Sequence, residues 1–159
     1  MSDGNEPIED DVKNQRITNI ILNHWNDIKG FNAFPKESDL DISYLEPFLD
    51  NCFLINAEGI NEGKYNYKYI GKNVLNSYGS ELTKIINVDA PNPLTQKDKI
   101  FELLINKRPV IDEGSFFNVK GDTVKYRQCL VPLSNDGINI NTIFGGMRLK
   151  IFPKDENIV

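Results

Sequence analysis

Histidine and cysteine are scarce in this sequence, and it has no long hydrophobic run. The 159 residues include one histidine and two cysteines. Cys52 and Cys129 lie far apart, with no histidine or second thiol near either in sequence, so neither a zinc site nor a disulfide framework is predicted. We expect both thiols to be reduced and buried. No apolar stretch approaches the roughly 20 residues that a membrane-spanning helix needs, so no membrane contact is expected.

Positive charge is also in deficit. The formal net charge is −5 and the isoelectric point is near 4.9. A protein that holds a nucleic-acid backbone needs a basic face, so nucleic acid is not expected as a partner. The first residues, Met1–Pro7, lack the basic and apolar regions of a signal peptide, which predicts a cytoplasmic protein. Length and composition are those of a globular protein with one domain.

The stretch from Val124 to Leu149 organises the rest of the chain. Its two apolar runs, rich in β-forming residues, are joined by Ser134–Gly137, a cluster typical of turns, which predicts an antiparallel strand pair. Pro132 cannot donate to a ladder, so we expect it at a strand end, an open edge or a bulge. Gly145–Gly146 indicates a backbone bend or bulge, or a place where something approaches the backbone closely.

Two segments precede the main domain. Residues 1–14 are an acidic lead-in with too few apolar groups to fold, so we expect them to be disordered. Residues 15–30 are predicted to form an amphipathic helix that ends at Gly30. Its apolar face is expected to pack on the chain's own sheet or on a second subunit. We favour a homodimer contact through four residues: Ile17, Ile21, Leu22 and Trp25.

Short helices and strands alternate through the middle of the chain. Ser43 and Glu46 have the spacing of a capping box, which predicts a short helix. Strands are expected at 52–57, 64–70 and 110–117, and helices at 73–78 and after a cap at Thr95. The buried stripe of the later helix is predicted to be Ile100, Phe101, Leu104 and Ile105.

This order of elements predicts an α+β fold. Two strands come before a helical insert and three strands come after it. We therefore expect a five-stranded antiparallel sheet with the helices on one face and the extra N-terminal helix outside. The domain spans residues 31–152. The tail, 153–159, is expected to fray from about Phe152.

Three tyrosines in the second strand suggest a ligand cavity. Strict alternation places Tyr65, Tyr67 and Tyr69 on one face of that strand. As structure, they are core aromatics whose hydroxyls find partners; as function, they line a pocket for a small apolar molecule with a few polar handles. The predicted pocket residues are Tyr67, Tyr69, Tyr78, Phe101, Phe116, Tyr126, Gln128 and Phe144.

Three sets of residues resemble the single-domain PAS proteins of alphaproteobacteria, over roughly Ile20 to Leu149. They are Trp25, Gly30, Phe34-Pro35 and Asp39-Leu40-Asp41; then Tyr65 through Gly71; then Tyr126, Val131 through Ser134, and Asp136-Gly137. The resemblance implies a PAS fold in a bacterial signalling protein, with a sensor kinase or response regulator as partner and with no catalytic residues. The family commonly carries a basic residue where this chain has Gln128, so an anionic ligand is not implied.

Cofactor and enzyme chemistry find little support in the residues. Asn51-Cys52 echoes the motif of flavin-binding PAS domains, but it precedes the first strand and lacks the neighbouring arginine and glutamine. Haem binding usually needs a histidine ligand facing the cavity, and His24 falls in the outer helix, where we expect a surface or interface position. No serine or cysteine has a base beside it in sequence. Flavin and haem are therefore not expected, and neither is an enzyme.

Two functional classes stay open. In the first, the protein is a sensor or adaptor that binds a small apolar ligand between sheet and helices and signals through protein contacts. In the second, it is a ligand-free module that docks a signalling partner constitutively. An enzyme of unrecognised type is a third alternative, which a single sequence does not test.

Overall fold

Residues 17–59, 66–79 and 97–154 are described by the computed structural model of the chain. The helices are α1 (Ile17–Lys29), α2 (Ile42–Leu45), α3 (Lys72–Ser77) and α4 (Lys97–Asn106), with 3-10 helices at Glu37–Asp39 and Glu46–Asn51. The strands are β1 (Cys52–Asn56), β2 (Asn66–Ile70), β3 (Val110–Phe117), β4 (Thr123–Leu133) and β5 (Thr142–Phe152).

The five strands form one antiparallel sheet in the order β2-β1-β5-β4-β3. The fold class predicted from the sequence is therefore confirmed. Because β5 lies in the centre, it is hydrogen-bonded to both β1 and β4. The long β4–β5 ladder is the strand pair that the Asp136-Gly137 signal predicts, although the connection is longer than a tight turn and β5 begins only at Thr142.

Side chains that alternate along the strands form two apolar clusters, one on each face of the sheet. We call the face that α3 and α4 cover the inner face and the face that α1 covers the outer face. The inner cluster contains Phe53, Leu130 and Met147 with Ile100 and Leu103 of α4. The outer cluster is made of Ile17, Ile21, Trp25, Phe34, Leu45, Cys52, Cys129, Val131, Leu133 and Phe144.

Helix α1 is seated on the outer face by its apolar stripe. Ile17 and Ile21 are 1 % exposed and Trp25 is 6 % exposed. The helix ends as predicted at Gly30, which has a φ of +56°, a conformation that glycine adopts at little cost. Three of the four residues predicted for a dimer contact are therefore buried against the chain's own sheet, and Leu22 is partly buried beside them.

The glycine pair in β5 is a site of close approach from both sides. A Cβ on Gly145 would lie 2.5 Å from the Phe53 ring on the inner face, and one on Gly146 would lie 2.9 Å from Cγ1 of Ile21 on the outer face. The ladder with β1 runs through both glycines without a change of register. Packing of the protein's own side chains, rather than a bulge, thus explains the pair.

Pro132 lies where β4 has lost one neighbour. Strand β3 reaches only as far as Val110, which is opposite Leu130, while β5 continues beside Pro132 through Ile143. The missing N–H of the proline therefore costs the sheet no hydrogen bond, as expected for an open-edge position. Its carbonyl oxygen accepts a 2.7 Å hydrogen bond from Nε1 of Trp25.

The capping residue of the short helix α2 differs from the prediction. Asp41, not Ser43, is the N-cap, and its Oδ1 accepts from the backbone N–H of Tyr44 at 3.2 Å. The N–H of Asp41 donates to Nε2 of His24 at 3.1 Å, and the His24 ring stacks on Tyr44. His24 is only 6 % exposed, so of the two positions expected for it, surface or interface, the surface position is wrong.

A bulge in β2 overturns the predicted tyrosine face. The register slips between Leu54 and Ile55 of β1, which are opposite Tyr69 and Tyr67 respectively. Ile55 belongs to the inner cluster and Leu54 packs against the outer one. Tyr67 and Tyr69 therefore lie on opposite faces, because the extra residue, Lys68, interrupts the alternation.

The buried stripe of α4 was also partly wrong. Ile100 and Leu103 are 0 % exposed, whereas Phe101 is 40 % and Ile105 is 75 % exposed. The helix is short and meets the sheet along one narrow line, so one residue per turn is fully buried.

Several predictions fall outside the described residues. These are the lead-in 1–14, Tyr65, the cap at Thr95 and the tail beyond Lys154. The described part of the tail is in β5 up to Phe152. No helix in the described ranges is long and apolar enough to cross a membrane.

Candidate ligand site on the inner face of the sheet

A row of aromatic side chains crosses the inner face from β2 to β3. The hydroxyl oxygens of Tyr67 and Tyr78 are 3.5 Å apart. The ring centroids of Tyr78 and Phe116 are 5.8 Å apart, and those of Phe116 and Tyr126 are 6.3 Å apart. Gly114 makes room for this row, since a Cβ there would lie 2.6 Å from the Tyr126 hydroxyl oxygen. Both centroid separations fall in the range of about 4.5–7 Å that is usual for packed aromatic pairs.

Gln128 introduces a polar group into this apolar layer. It lies on β4 between Tyr126 and Leu130 and is 0 % exposed. Its Nε2 donates to Oδ2 of Asp112 at 3.3 Å. Its Oε1 is buried and has no hydrogen-bond partner among the described residues. Leaving a buried polar atom unpaired costs about 1–3 kcal/mol, so such atoms are few in folded proteins.

The amide is linked to helix α4 through Asp112. The Asp112 side chain is 12 % exposed, and its Oδ1 is 3.8 Å from Nζ of Lys99, which lies near the described start of α4. Lys99 also bonds Glu102 one turn later at 3.4 Å. A polar chain thus runs from the surface of α4 to the buried carboxamide, and its inner end is a free acceptor.

Five of the eight predicted pocket residues come together here. Tyr67 and Phe116 pack against the inner cluster, and Tyr78 and Tyr126 are part of it. Gln128 lies beside Tyr126 on the same face. These five side chains define the candidate site.

The other three predicted residues lie elsewhere. Phe144 belongs to the outer cluster beneath α1. Tyr69 is 39 % exposed, and its hydroxyl donates to the carbonyl oxygen of Leu49 at 2.8 Å. Phe101 lines a groove of about 540 Å³ between α4 and the β4–β5 connection, outside the inner layer.

Two polar residues linked to the site, Asp112 and Lys99, were not predicted. Asp112 precedes an exposed glutamate in a strand whose side chains alternate in the ordinary way, so it does not stand out. Lys99 has the sequence context of a solvent-exposed helix residue. The signal that could have found Asp112 is its odd placement on the same strand face as Val110 and Phe116, both of which are apolar.

Both cysteines belong to the outer cluster, so neither thiol points into the candidate site. Burial raises the pKa of the Cys52 and Cys129 thiols to about 12. Cys52 Sγ is 3.2 Å from the carbonyl oxygen of Phe48 and donates to it. In the part of the chain that the structure describes, no group of three or more His, Cys, Asp or Glu side chains could hold a metal ion.

The geometry of the fold resembles that of LOV and PAS domains. The dark structure of the blue-light photoreceptor Aureochrome1 LOV matches with a TM-score of 0.51 and 15 % identity, over 73 % of this chain and 83 % of that one. Its light-state structure gives a TM-score of 0.49 and 16 % identity, over 64 % and 87 % of the two chains. The match to the dark structure and the five-stranded antiparallel sheet define a PAS-like fold.

A PAS domain from Bordetella pertussis BvgS also matches, with a TM-score of 0.36 and 16 % identity over 65 % of this chain and 74 % of that one. No protein-family model matches the chain, and no curated protein matches its sequence. The resemblance to the alphaproteobacterial PAS proteins therefore rests on the sequence motifs alone.

Proposed function

We propose that the chain is a PAS-type sensory or adaptor protein of bacterial signalling, which binds a small, mostly apolar molecule at the inner face of its sheet. The molecule carries at least one N–H or O–H donor. It acts on other proteins, such as a sensor kinase or response regulator, through contacts of the folded domain. The PAS-like fold and the motifs shared with alphaproteobacterial PAS proteins support the signalling role.

The single observation that supports ligand binding is the unpaired Oε1 of Gln128. The atom is buried on the strand face that also carries Tyr126, and the amide is held in place by Asp112. A ligand donor that bonds Oε1 removes the cost of the unpaired acceptor, and the neighbouring residues of the inner cluster, Tyr126 and Leu130, would supply apolar contact. Small-molecule sites commonly combine an apolar lining with a few fixed polar groups in this way.

One observation favours the alternative, a ligand-free docking module. The rings of Tyr78, Phe116 and Tyr126 contact one another, so this part of the inner face is filled by the protein itself. In that case, the site is core, and the protein signals through its surface in a single state.

Native mass spectrometry separates the two functions. The protein is purified without added ligand, and anything bound is released and identified under denaturing conditions. The test variant is Gln128→Leu, which removes the acceptor and keeps similar volume. The matched control is Thr142→Val, because Thr142 is also a buried polar residue of the sheet, is 3 % exposed, and contacts Glu37 on the outer side.

Sensor function predicts one small molecule per chain in the wild type and in Thr142→Val. In Gln128→Leu it predicts a dissociation constant at least tenfold higher, which corresponds to about 1.4 kcal/mol, and a correspondingly lower occupancy. Equal occupancy in all three proteins would remove Gln128 from the site. The alternative result is a wild-type spectrum that shows the polypeptide mass alone, with no rise in melting temperature when small apolar molecules that carry an N–H or O–H donor are added. That result would leave the docking module as the function.

The same spectra report the assembly. A homodimer remains our prediction, but its contact does not use Ile17, Ile21 and Trp25 while α1 stays on the sheet, since these are buried there. The outward side of α1 carries Asn19, Asn23 and Asn26, all exposed. A dimer would therefore be held by other surfaces or by release of α1.

A further inference from the structure

Part of the outer face lies beyond the residues that α1 covers, and this part is basic. We call it the basic face: Lys125 and Arg127 of β4 with Arg148 and Lys150 of β5. Ile17 and Ile21 cover the sheet at Gly146, and the next outward positions along β5 are Arg148 and Lys150. The four residues line a groove of about 450 Å³. This is a concentration of positive charge on a chain whose formal net charge is −5.

The arrangement is unfavourable for the sheet alone. Lys125 is directly opposite Lys150, and Arg127 is directly opposite Arg148. Like charges directly opposite on neighbouring strands destabilise a sheet, as opposite charges stabilise it. Glu113 forms an ion pair with Arg127 and is the one carboxylate that lines the groove within the described residues. Four cations thus share one acidic neighbour there.

An apolar side chain, Phe152, borders the basic face. The Nζ atoms of Lys125 and Lys150 lie 5.2 Å and 5.9 Å from the ring centroid of Phe152, which is 41 % exposed. An acidic segment that carries a few aliphatic side chains would therefore match the surface in both charge and polarity.

Such a segment directly precedes α1. The lead-in carries Asp3, Glu6, Glu9, Asp10 and Asp11, has no lysine or arginine before Lys13, and contains Ile8 and Val12. Because α1 runs from the level of Gly146 at Ile17 to the level of Pro132 at Trp25, its N-terminal end is the end nearer Arg148. Ile17, the first described residue of α1, is therefore at the end of the helix nearer the basic face.

The distances allow the contact. Arg148 and Lys150 are two and four residues beyond Gly146, or about 7 Å and 13 Å along the strand. Asp11 is six residues before Ile17 and Glu9 is eight, and an extended chain spans up to about 3.5 Å per residue. The acidic residues can therefore lie over either cross-strand pair of cations.

We propose that the acidic lead-in, from Asp3 to Asp11, binds the basic face of its own chain. Binding sets carboxylates against the like-charged pairs Lys125–Lys150 and Arg127–Arg148, and it covers a part of the outer face that α1 leaves open. The interaction is electrostatic and solvent-exposed, so it weakens as salt shortens the range of the charges, to about 3 Å at 1 M.

Paramagnetic relaxation in the full chain tests this contact. Ser2→Cys is labelled with a nitroxide, since the two native cysteines are fully buried. We expect broadening of the backbone amide signals of residues 123–127 and 148–152 at 50 mM salt, and its loss at 500 mM salt. The variant Arg148→Gln/Lys150→Gln should lose most of the broadening at 50 mM salt as well.

The matched control is Lys72→Gln/Arg108→Gln, which removes two exposed cations at α3 and at the turn before β3. It should keep the broadening. Absence of broadening in the wild type, or equal broadening in both double variants, would overturn the proposal. Broadening in a mixture of labelled, NMR-silent protein with unlabelled, isotope-enriched protein would assign the contact to a second copy and overturn binding within one chain.

Discussion

The indole nitrogen of Trp25 donates a 2.7 Å hydrogen bond to the carbonyl oxygen of Pro132. The bond joins α1 to β4 at a point where β3 no longer supplies a partner. Without this bond, the carbonyl oxygen of Pro132 would have no partner strand at this edge. The helix therefore completes the hydrogen bonding of the sheet, in addition to covering its apolar face.

We expect Trp25→Phe to destabilise the protein by about 1–3 kcal/mol, because it keeps an aromatic ring but leaves the buried carbonyl oxygen without a donor. Urea unfolding followed by circular dichroism measures the change. Phe31→Ala is the control, since Phe31 is fully exposed and its removal should change stability by less than about 0.5 kcal/mol. Equal stability of Trp25→Phe and the wild type would contradict the role of this bond.

Gly146→Ala is expected to cost about 1–3 kcal/mol, because the added Cβ would lie 2.9 Å from Cγ1 of Ile21 and overpacking a close contact forces neighbours to move. The double variant Gly146→Ala/Ile21→Ala should be less destabilised than the sum of the two single variants, since shortening Ile21 relieves the overlap. Strict additivity in urea unfolding would show that the two residues do not meet in this way.

Stability should fall as the pH is lowered through about 6.5, the ordinary pKa of histidine. Burial lowers the pKa of His24 in the folded protein, although Asp41 and Asp27 oppose the shift. The unfolded chain therefore binds a proton more readily than the folded chain, and the stabilisation present above pH 6.5 is lost below it. Protonation also removes the Nε2 acceptor of the Asp41 N–H.

The measurement for this prediction is the free energy of unfolding between pH 7.5 and 5.5. His24 is the only histidine, so His24→Gln, which keeps a neutral acceptor, should show a flatter profile than the wild type in this window. Parallel profiles for the two proteins would place the proton uptake on another group.

Neither cysteine should react with a thiol reagent in the native protein at pH 8. Both side chains are 0 % exposed, and burial raises the pKa of each thiol to about 12. We expect reaction more than about 100-fold slower than in urea, limited by opening of the structure. Cys52→Ser and Cys129→Ser assign each rate. A fast native rate for Cys129 would mean that α1 leaves the outer face often.

The sequence predicted the five strands, the sheet and the packing stripe of α1, because each depends on local periodicity or turn chemistry. The strand Val110–Phe117 matched its expected bounds in full. The spacing of Ile17, Ile21 and Trp25 is enough to predict which side of α1 is apolar. It does not predict the surface against which that side packs, because an apolar stripe fits the chain's own sheet and a second subunit equally well.

The candidate site was predicted less completely, for reasons that lie outside local sequence. The bulge at Lys68 moved Tyr69 to the other face, and a single unpaired residue leaves no mark in an alternating pattern. Asp112 and Gln128 meet only because β3 and β4 pair in one register. Phe144 was assigned to the wrong face of the sheet. The two glycines that follow it have no side chains, so the alternation along β5 does not indicate which residues face inward.

The glycine pair in β5 makes the sheet unusually thin at one point. There the Phe53 ring rests on one side of the backbone and Ile21 of α1 on the other, with no Cβ between them. The inner cluster and the N-terminal helix are therefore separated at this point by a single layer of backbone. We expect a movement of Phe53 normal to the sheet to reach the β5 peptide beneath α1, because no side chain lies between them.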